Sequence, residues 1–530
     1  MTVFPRNSPV PRLFSFAAAA CSALLLFLGM PGHFGWWPLL FIGLVPVLLL
    51  APLLTPRRAA CMGMFCGLLY NISLLYWIVV VLGRYGRLPA WISVSGMGLL
   101  AGYMALYFAL FCLIFNLVTA TRSRAGDFGL SPFFLAAPVI WVGLDYVRGV
   151  LFSGFPWMDL GYGLYRQPLL IQAADLGGHH LVTFYLVLVN VLLAAGMTRI
   201  ITRSRRTGNS LFFVAAIVFL LGICGYSLRQ YQQYSAAGSS TDRVVVSAIQ
   251  GNIAQDEKWT PAKKEETVAD YLALSAKVLR RNKVDLIIWP ETALPFFPQQ
   301  DVLMGKVIDF VRAENTVLLT GAPYFERNDR GKGQGKKVEL FNSALLVNAR
   351  GRLTGRYNKQ HLVPFGEYVP LRSYLPFLEP LVVSVGDFTA GSSSTFLQIG
   401  RIKAGVLICF ESIFPDIARK EVRSGSNLLV NITNDAWYGR SSAPYQSLAM
   451  SVFRAVENRR SLVRAANTGL SSIVDSVGKI HFQSRLFQKA AITAPVALLE
   501  EQTPFNRGGY WFGLVCCLLT LPVILCARRK

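Results

Sequence analysis

Charge is scarce in this sequence. Only 15% of its 530 residues are charged while 53% are hydrophobic, and 29 acids stand against 52 lysines and arginines. Soluble domains carry charge at about a quarter of their positions, so a string of ordinary soluble domains is excluded. Histidine is scarcer still: His33, His179, His180, His361 and His481 show no metal-ligand spacing, so no metal centre is expected. His179 and His180 read as residues flanking a membrane span at the interface. Nucleic-acid motifs are missing, and the glycine-rich GKGQGKK (331–337) lacks the strand-loop-helix setting of a phosphate loop, which makes it a flexible basic hairpin. No cofactor is expected. Asn431-Ile432-Thr433 fits a glycosylation sequon but falls inside a predicted strand.

Long apolar runs are what the chain has instead. A helix needs roughly 20 apolar residues to cross a hydrocarbon layer about 30 Å thick. Seven such runs precede residue 230, at about 13–30, 36–54, 59–82, 89–118, 132–148, 179–198 and 210–228, and an eighth lies at about 511–527. The first follows basic residues as a secretory signal would, but no small-x-small cleavage site succeeds it, so it reads as an uncleaved anchor. Placing both termini in the cytoplasm puts thirteen basic residues there, among them Arg57, Arg58, Arg203, Arg205 and Arg206; only Arg84, Arg87, Arg148 and Arg166 face the other side. This asymmetry follows the positive-inside rule. The reading is a seven-helix membrane domain (1–228), an extracytoplasmic segment of soluble composition (229–509), and an eighth helix with a cytoplasmic tail (510–530). The basic excess divides into 17 basic against 4 acidic residues in the membrane part and 35 against 25 outside. The first share is topology, and the second, interspersed rather than clustered, mainly keeps the domain soluble.

Cysteine is absent from the outer segment except at one position. Eight of the nine cysteines fall in predicted spans, where a thiol behaves as a small apolar side chain. Cys409 stands alone outside and has no partner there for an intrachain disulfide, so it is either buried and inert or reactive. It ends IKAGVLI (402–408), an apolar run without alternation that suits a strand buried on both faces. Two similar runs deliver polar groups at their exits: VDLIIWPET (284–292) supplies Glu291, and NLLVNITNDAWYG (427–439) supplies Asn434, Asp435 and Trp437. Between them YNKQHLVPFGEYVP (357–370) carries Lys359 and Glu367. A thiol with an ordinary pKa near 8.5 needs a base, which Glu291 can be, and a cation such as Lys359 to favour the thiolate and stabilise an oxyanion.

QGNIAQDEKW (250–259), WPET (289–292), YNKQHLVPFGEYVP, LICFES (407–412) and NITNDAWYG (431–439), in this order, resemble the motifs of the carbon–nitrogen hydrolase (nitrilase) superfamily. Joined to eight spans and to FPWMDLGYG (155–163), they are similar to its membrane-anchored family, the apolipoprotein N-acyltransferases. The resemblance implies a multi-span α-helical membrane domain plus an α/β domain folded as an α-β-β-α sandwich. It also implies a catalytic triad of Glu291, Lys359 and Cys409. Glu367 and Glu411 match supporting acidic positions, and Trp259 and Asn342 also fall at family positions. Phe410 replaces a tyrosine common in relatives, losing a hydroxyl but keeping a ring that can shape an acyl pocket, and Trp437 is a further candidate substrate-binding residue.

By that resemblance the chain is a bacterial inner-membrane acyltransferase with its catalytic domain on the periplasmic side. Cys409 would take a fatty acyl chain from a phospholipid as a thioester and pass it to the α-amino group of the S-diacylglyceryl cysteine of an apolipoprotein. A monomer is expected. Water competes for a thioester, so a shield is expected too, and TALPFFPQQ (292–300) and residues 367–388 have the composition of lids or of ordinary packed loops. One rival is a membrane-bound amidase passing acyl groups to water. The other is a transporter with an outer binding domain, which requires ionisable residues within spans; Asp145 and Arg148 are the candidates, and interface placement is the simpler reading of both.

Overall fold

A computed structural model describes residues 10–123, 132–202, 210–240, 242–255, 258–328, 337–364, 366–368, 388–392 and 395–528. The chain divides into two compact units: Met1–Val79, Trp91–Tyr231 and Gly508–Lys530 form the first, and Val80–Ala90 with Gln232–Arg507 form the second.

The first unit is helical. Among the described residues, five helices are long and apolar enough to cross a membrane: Arg12–Gly29, Pro56–Leu75, Ala90–Thr119, Ala174–Ile201 and Leu211–Ala236. The expected run 36–54 is a broken helix, because Pro38, Pro46 and Pro52 each start a new short turn. Proline removes a donor and frees carbonyls, and two buried asparagines satisfy them. Asn190 Nδ2 donates to Leu40 O at 2.9 Å while its Oδ1 accepts from the Leu44 N–H at 2.9 Å; Asn116 Nδ2 donates to Ala51 O at 2.7 Å and Leu54 O at 2.9 Å. The run 59–82 also divides, into Pro56–Leu75, Trp77–Val80 and a π-helical turn Val81–Tyr85. The runs at 132–148 and 511–527 fall on the helices Ala136–Val150 and Trp511–Arg528, which press together where Gly143 leaves no room for a Cβ against Cys517.

Asp145, Arg148, Asp159, His179 and His180 are all buried in this unit. Arg148 pairs with Asp145 at 3.2 Å and with Asp159, and His179 Nε2 lies 2.8 Å from Asp159. Grouping them supplies the partners that buried charges need. Asp159, His179 and His180 place possible metal-ligating atoms within 4.8 Å of one another, a cluster that sequence spacing did not reveal.

The second unit is an α-β-β-α sandwich. One six-stranded sheet has the order β12-β1-β2-β3-β4-β5: β1 Arg243–Gln250, β2 Leu286–Ile288, β3 Leu318–Asn328, β4 Lys337–Val347, β5 Leu353–Asn358 and β12 Ala490–Ala497. The other has the order β11-β10-β9-β8-β7-β6: β6 Leu397–Ile399, β7 Ile402–Ile408, β8 Leu428–Thr433, β9 Ser461–Ala466, β10 Ser472–Val474 and β11 Ile480–Gln483. Strands β1-β2-β3 and β7-β8-β9 pair in parallel. Covered on both faces, they show the unalternating apolar sequence that such strands require. Val246, Ile288, Val406, Ile408, Val430 and Val463 meet in the core between the sheets, where each fully buried aliphatic side chain contributes about 1.5–3 kcal/mol. Helices Pro261–Leu279 and Leu303–Ala313 cover the first sheet, and Pro415–Arg423 and Ala443–Asn458 the second.

TALPFFPQQ is part of this packing. Ala293, Leu294 and Phe296 are buried in the core beneath the first sheet, so the packed-loop reading holds for them rather than a lid. The sequon residues Asn431, Ile432 and Thr433 are buried in β8. Residues 369–387 of the second expected lid and 331–336 of the basic hairpin lie outside the described residues.

Candidate active site

Strand β7 stops at Ile408, and Cys409 opens a 3-10 turn to Ile413 with φ of 53°, in the left-handed region that a residue with a Cβ enters only under constraint. Glu411 supplies the constraint. It is fully buried and accepts hydrogen bonds from the backbone N–H groups of Ile408 (2.7 Å), Gln360 (2.6 Å) and His361 (3.2 Å) and from the Tyr357 hydroxyl (3.0 Å). One carboxylate thus fastens the residue before Cys409 to the residues after Lys359. Burial pushes the Glu411 pKa up to about 7, against the pull of its backbone donors and of Lys359.

Lys359 follows β5 and is 1% exposed. Its Nζ lies 2.8 Å from Glu367 Oε2 and 3.7 Å from Glu291 Oε1. Burial alone would depress the lysine's pKa, but Glu367, Glu291 and Cys409 together carry it above its ordinary value, so it stays an ammonium. Asn342, on β4, donates through Nδ2 to Glu291 Oε1 at 2.7 Å and to Glu367 Oε1 at 2.9 Å. The other Glu291 oxygen accepts the Asn434 backbone N–H at 2.8 Å, reaching across from the end of β8. Glu291 sits in a tight turn after β2 against Gly321, where an added Cβ would come within 2.6 Å of Glu291 Cα.

Burial pushes the Cys409 thiol up to about 12, and the Glu291 carboxylate adds to the rise; Lys359 and Thr433 pull the other way without offsetting it. Lys359 acts on the thiol in the expected direction, favouring the thiolate, but burial outweighs it, so deprotonation calls for a base. Beneath it, the Thr433 hydroxyl donates to Asp435 Oδ1 at 2.9 Å, and Arg464 Nη2 holds both Asp435 oxygens at 3.1 and 2.9 Å.

Glu291, Lys359, Cys409, Glu367, Asn342, Trp259 and Trp437 line one cavity of about 710 Å³. Such a volume suits a ligand the size of an acyl chain with its attachment. Phe410 and Glu411 lie outside the cavity wall: Phe410 packs its ring 5.2 Å from that of Phe414 and 6.0 Å from that of His361. The wall also contains residues that the sequence had not singled out. Lys258 precedes Trp259 in the same motif, and Arg84, Tyr85 and Arg87 come from the Val80–Ala90 segment, which belongs to this unit. The Tyr85 ring meets that of Trp437 edge-on at 5.7 Å.

A cysteine at a strand exit, set with a buried lysine and a hydrogen-bonded glutamate in an α-β-β-α sandwich, is the architecture of a carbon–nitrogen hydrolase, and residues 245–502 match the family described as Carbon-nitrogen hydrolase. Residues 22–192 match the Apolipoprotein N-acyltransferase N-terminal domain. The chain belongs to the apolipoprotein N-acyltransferase family. It is 40% identical to the Apolipoprotein N-acyltransferase of Geobacter metallireducens over 99% of this chain and 97% of that relative, and 31% identical to that of Pseudomonas syringae pv. tomato over 98% and 97%. Among solved structures, Saccharomyces cerevisiae Nit3, a nitrilase-superfamily member, aligns with 48% of this chain and 90% of its own at 17% identity and a TM-score of 0.37.

Proposed function

We propose that this chain transfers a fatty acyl group from a membrane phospholipid, through a thioester on Cys409, to the α-amino group of the S-diacylglyceryl cysteine of an apolipoprotein. The observation that carries this reading is the single cavity onto which Glu291, Lys359 and Cys409 all open. In the first half-reaction Glu291 takes the thiol proton as Cys409 Sγ attacks the ester carbonyl, which explains how a thiol held at about pKa 12 can react at neutral pH. The Lys359 ammonium stabilises the oxyanion, an effect worth about 3–4 kcal/mol per donor. Collapse breaks the ester bond, and Glu291 returns the proton to the departing lysophospholipid. In the second half-reaction the amine attacks the thioester and Glu291 accepts its proton. The thiolate leaves, is reprotonated, and an amide is released.

The same reading takes residues 1–228 as a seven-helix membrane domain, 229–509 as the catalytic domain and 510–530 as the eighth helix and tail, in a monomer of the bacterial inner membrane with its catalytic domain in the periplasm. The distribution of basic residues supports this orientation. Glu367 positions Lys359, Asn342 positions both acids, Glu411 braces the turn, Trp259 and Trp437 shape the surroundings of the acyl chain, and Phe410, outside the cavity wall, packs against Phe414.

The test is mass spectrometry of the Cys409 peptide from protein purified out of membranes. A hydroxylamine-labile fatty acyl adduct is expected, lost in Glu291→Ala and Lys359→Ala, and consumed when a diacylated lipopeptide amine is added. Full transfer to the lipopeptide by Cys409→Ala would refute the assignment.

A further inference from the structure

Lys258 has no role in the chemistry above, yet it is fully buried and lines the same cavity as Glu291, Lys359 and Cys409. Its Nζ has no hydrogen-bond partner among the described residues. A desolvated ammonium without a partner costs several kcal/mol. Burial accordingly lowers its pKa to about 8, with Glu291 pushing back. Glu291 is no dedicated partner, because Asn342, the Asn434 N–H and Lys359 already engage its oxygens. Arg84 and Arg87 line the cavity as well, so among the described residues four cationic side chains face two carboxylates, Glu291 and Glu367, and Lys359 bridges both of these. Among the described residues, Lys258, Arg84 and Arg87 are left as positive charge that no cavity carboxylate balances. An uncharged acyl chain does nothing for that charge; a phosphate does, and lysine is a common point-charge ligand for one.

We propose that Lys258, with Arg84 and Arg87, forms a phosphate subsite that holds the phosphodiester of the donor lipid while its ester carbonyl is presented to Cys409. This rests on the phospholipid-donor reading above and adds where the headgroup goes. Anchoring the phosphate fixes which part of a long, flexible molecule stands at the sulfur, the positioning that turns binding into rate.

Full-length protein freed of lipid is acylated either with dipalmitoyl phosphatidylglycerol or with p-nitrophenyl palmitate, which has the acyl group and no phosphate, and the Cys409 adduct is followed in time. In K258M the ratio of kcat/KM for the phospholipid to that for the neutral ester should fall about tenfold or more, chiefly through KM, and K258R should recover most of it. R84Q/R87Q, at exposed positions that spare the core, should raise the phospholipid KM at low salt and lose that effect at high salt. An unchanged ratio in both K258M and R84Q/R87Q, or an equal loss with both donors, overturns the subsite; the latter would make Lys258 a support for Glu291. Inorganic phosphate that inhibits the wild type but not K258M, with the lipid KM unmoved, would give the site to a free anion and overturn the lipid assignment. A wild type acylated by the ester and by no phospholipid would instead refute the phospholipid-donor reading itself, a pattern distinct from the others.

Discussion

Lys359 makes its short ion pair with Glu367, 2.8 Å from its Nζ, and this leaves Glu291 at 3.7 Å, less tightly held by the ammonium. Glu291 can therefore accept a proton without first giving up a close salt bridge. Glu367→Gln should let Lys359 close on Glu291 and weaken it as a base. Cys409 acylation is expected to slow by about 10²-fold in kcat with KM little changed, within the usual range for impaired general-base catalysis. Single-turnover acylation checks this, and a variant as fast as the wild type would rule out the division of labour between the two acids.

The resting thiol supplies a prediction whose two readouts move in opposite directions. With the Cys409 pKa pushed up to about 12, iodoacetamide should alkylate it slowly at pH 7 to 8, because only thiolate reacts. Glu291 is one of the groups that raise this pKa, so Glu291→Gln should speed alkylation at pH 8 while acyl transfer drops by about 10²–10⁴-fold. Lys359→Met, which removes a group that lowers it, should slow alkylation. Rapid alkylation of the wild type at pH 7, or slower alkylation in Glu291→Gln, would contradict the electrostatics of the site.

Glu411 should set the acid side of the pH profile. Its ordinary pKa of 4.5 is raised to about 7, so it gains a proton as pH falls through 7, and a protonated carboxyl cannot accept all the donors that converge on it. Activity should rise with pH through about 7 in the wild type. Glu411→Gln should flatten that limb and lower the rate by about 5- to 100-fold, the cost of leaving a buried N–H poorly paired. A wild-type limb near pH 4.5 would show that Glu411 does not govern the turn. Stability carries the opposite sign: a folded-state pKa above the unfolded one favours the fold below about 4.5, and that contribution is lost as pH rises through 7.

The part of this protein that was legible in the sequence is the part set by local pattern. IKAGVLI reads as a doubly buried strand and is β7, Ile402–Ile408, because parallel strands need continuous apolar side chains. Span lengths were legible less completely, since the prolines in 36–54 break the backbone and the asparagines that repair it lie about 65 to 150 residues away. Trp259 was picked out of its motif and Lys258 beside it was not, because nothing in a sequence says which of two neighbours loses its water.

Class, family, the solitary cysteine and its candidate partners were determined by the sequence alone, since motif order and run length are properties of the chain itself. Only the tertiary structure decided that Glu291 is held by an N–H 143 positions away, that Val80–Ala90 joins the cavity wall, that Phe296 is core, and that burial pushes the Cys409 thiol up. Desolvation and pairing set those outcomes, and both depend on which distant groups fold against one another.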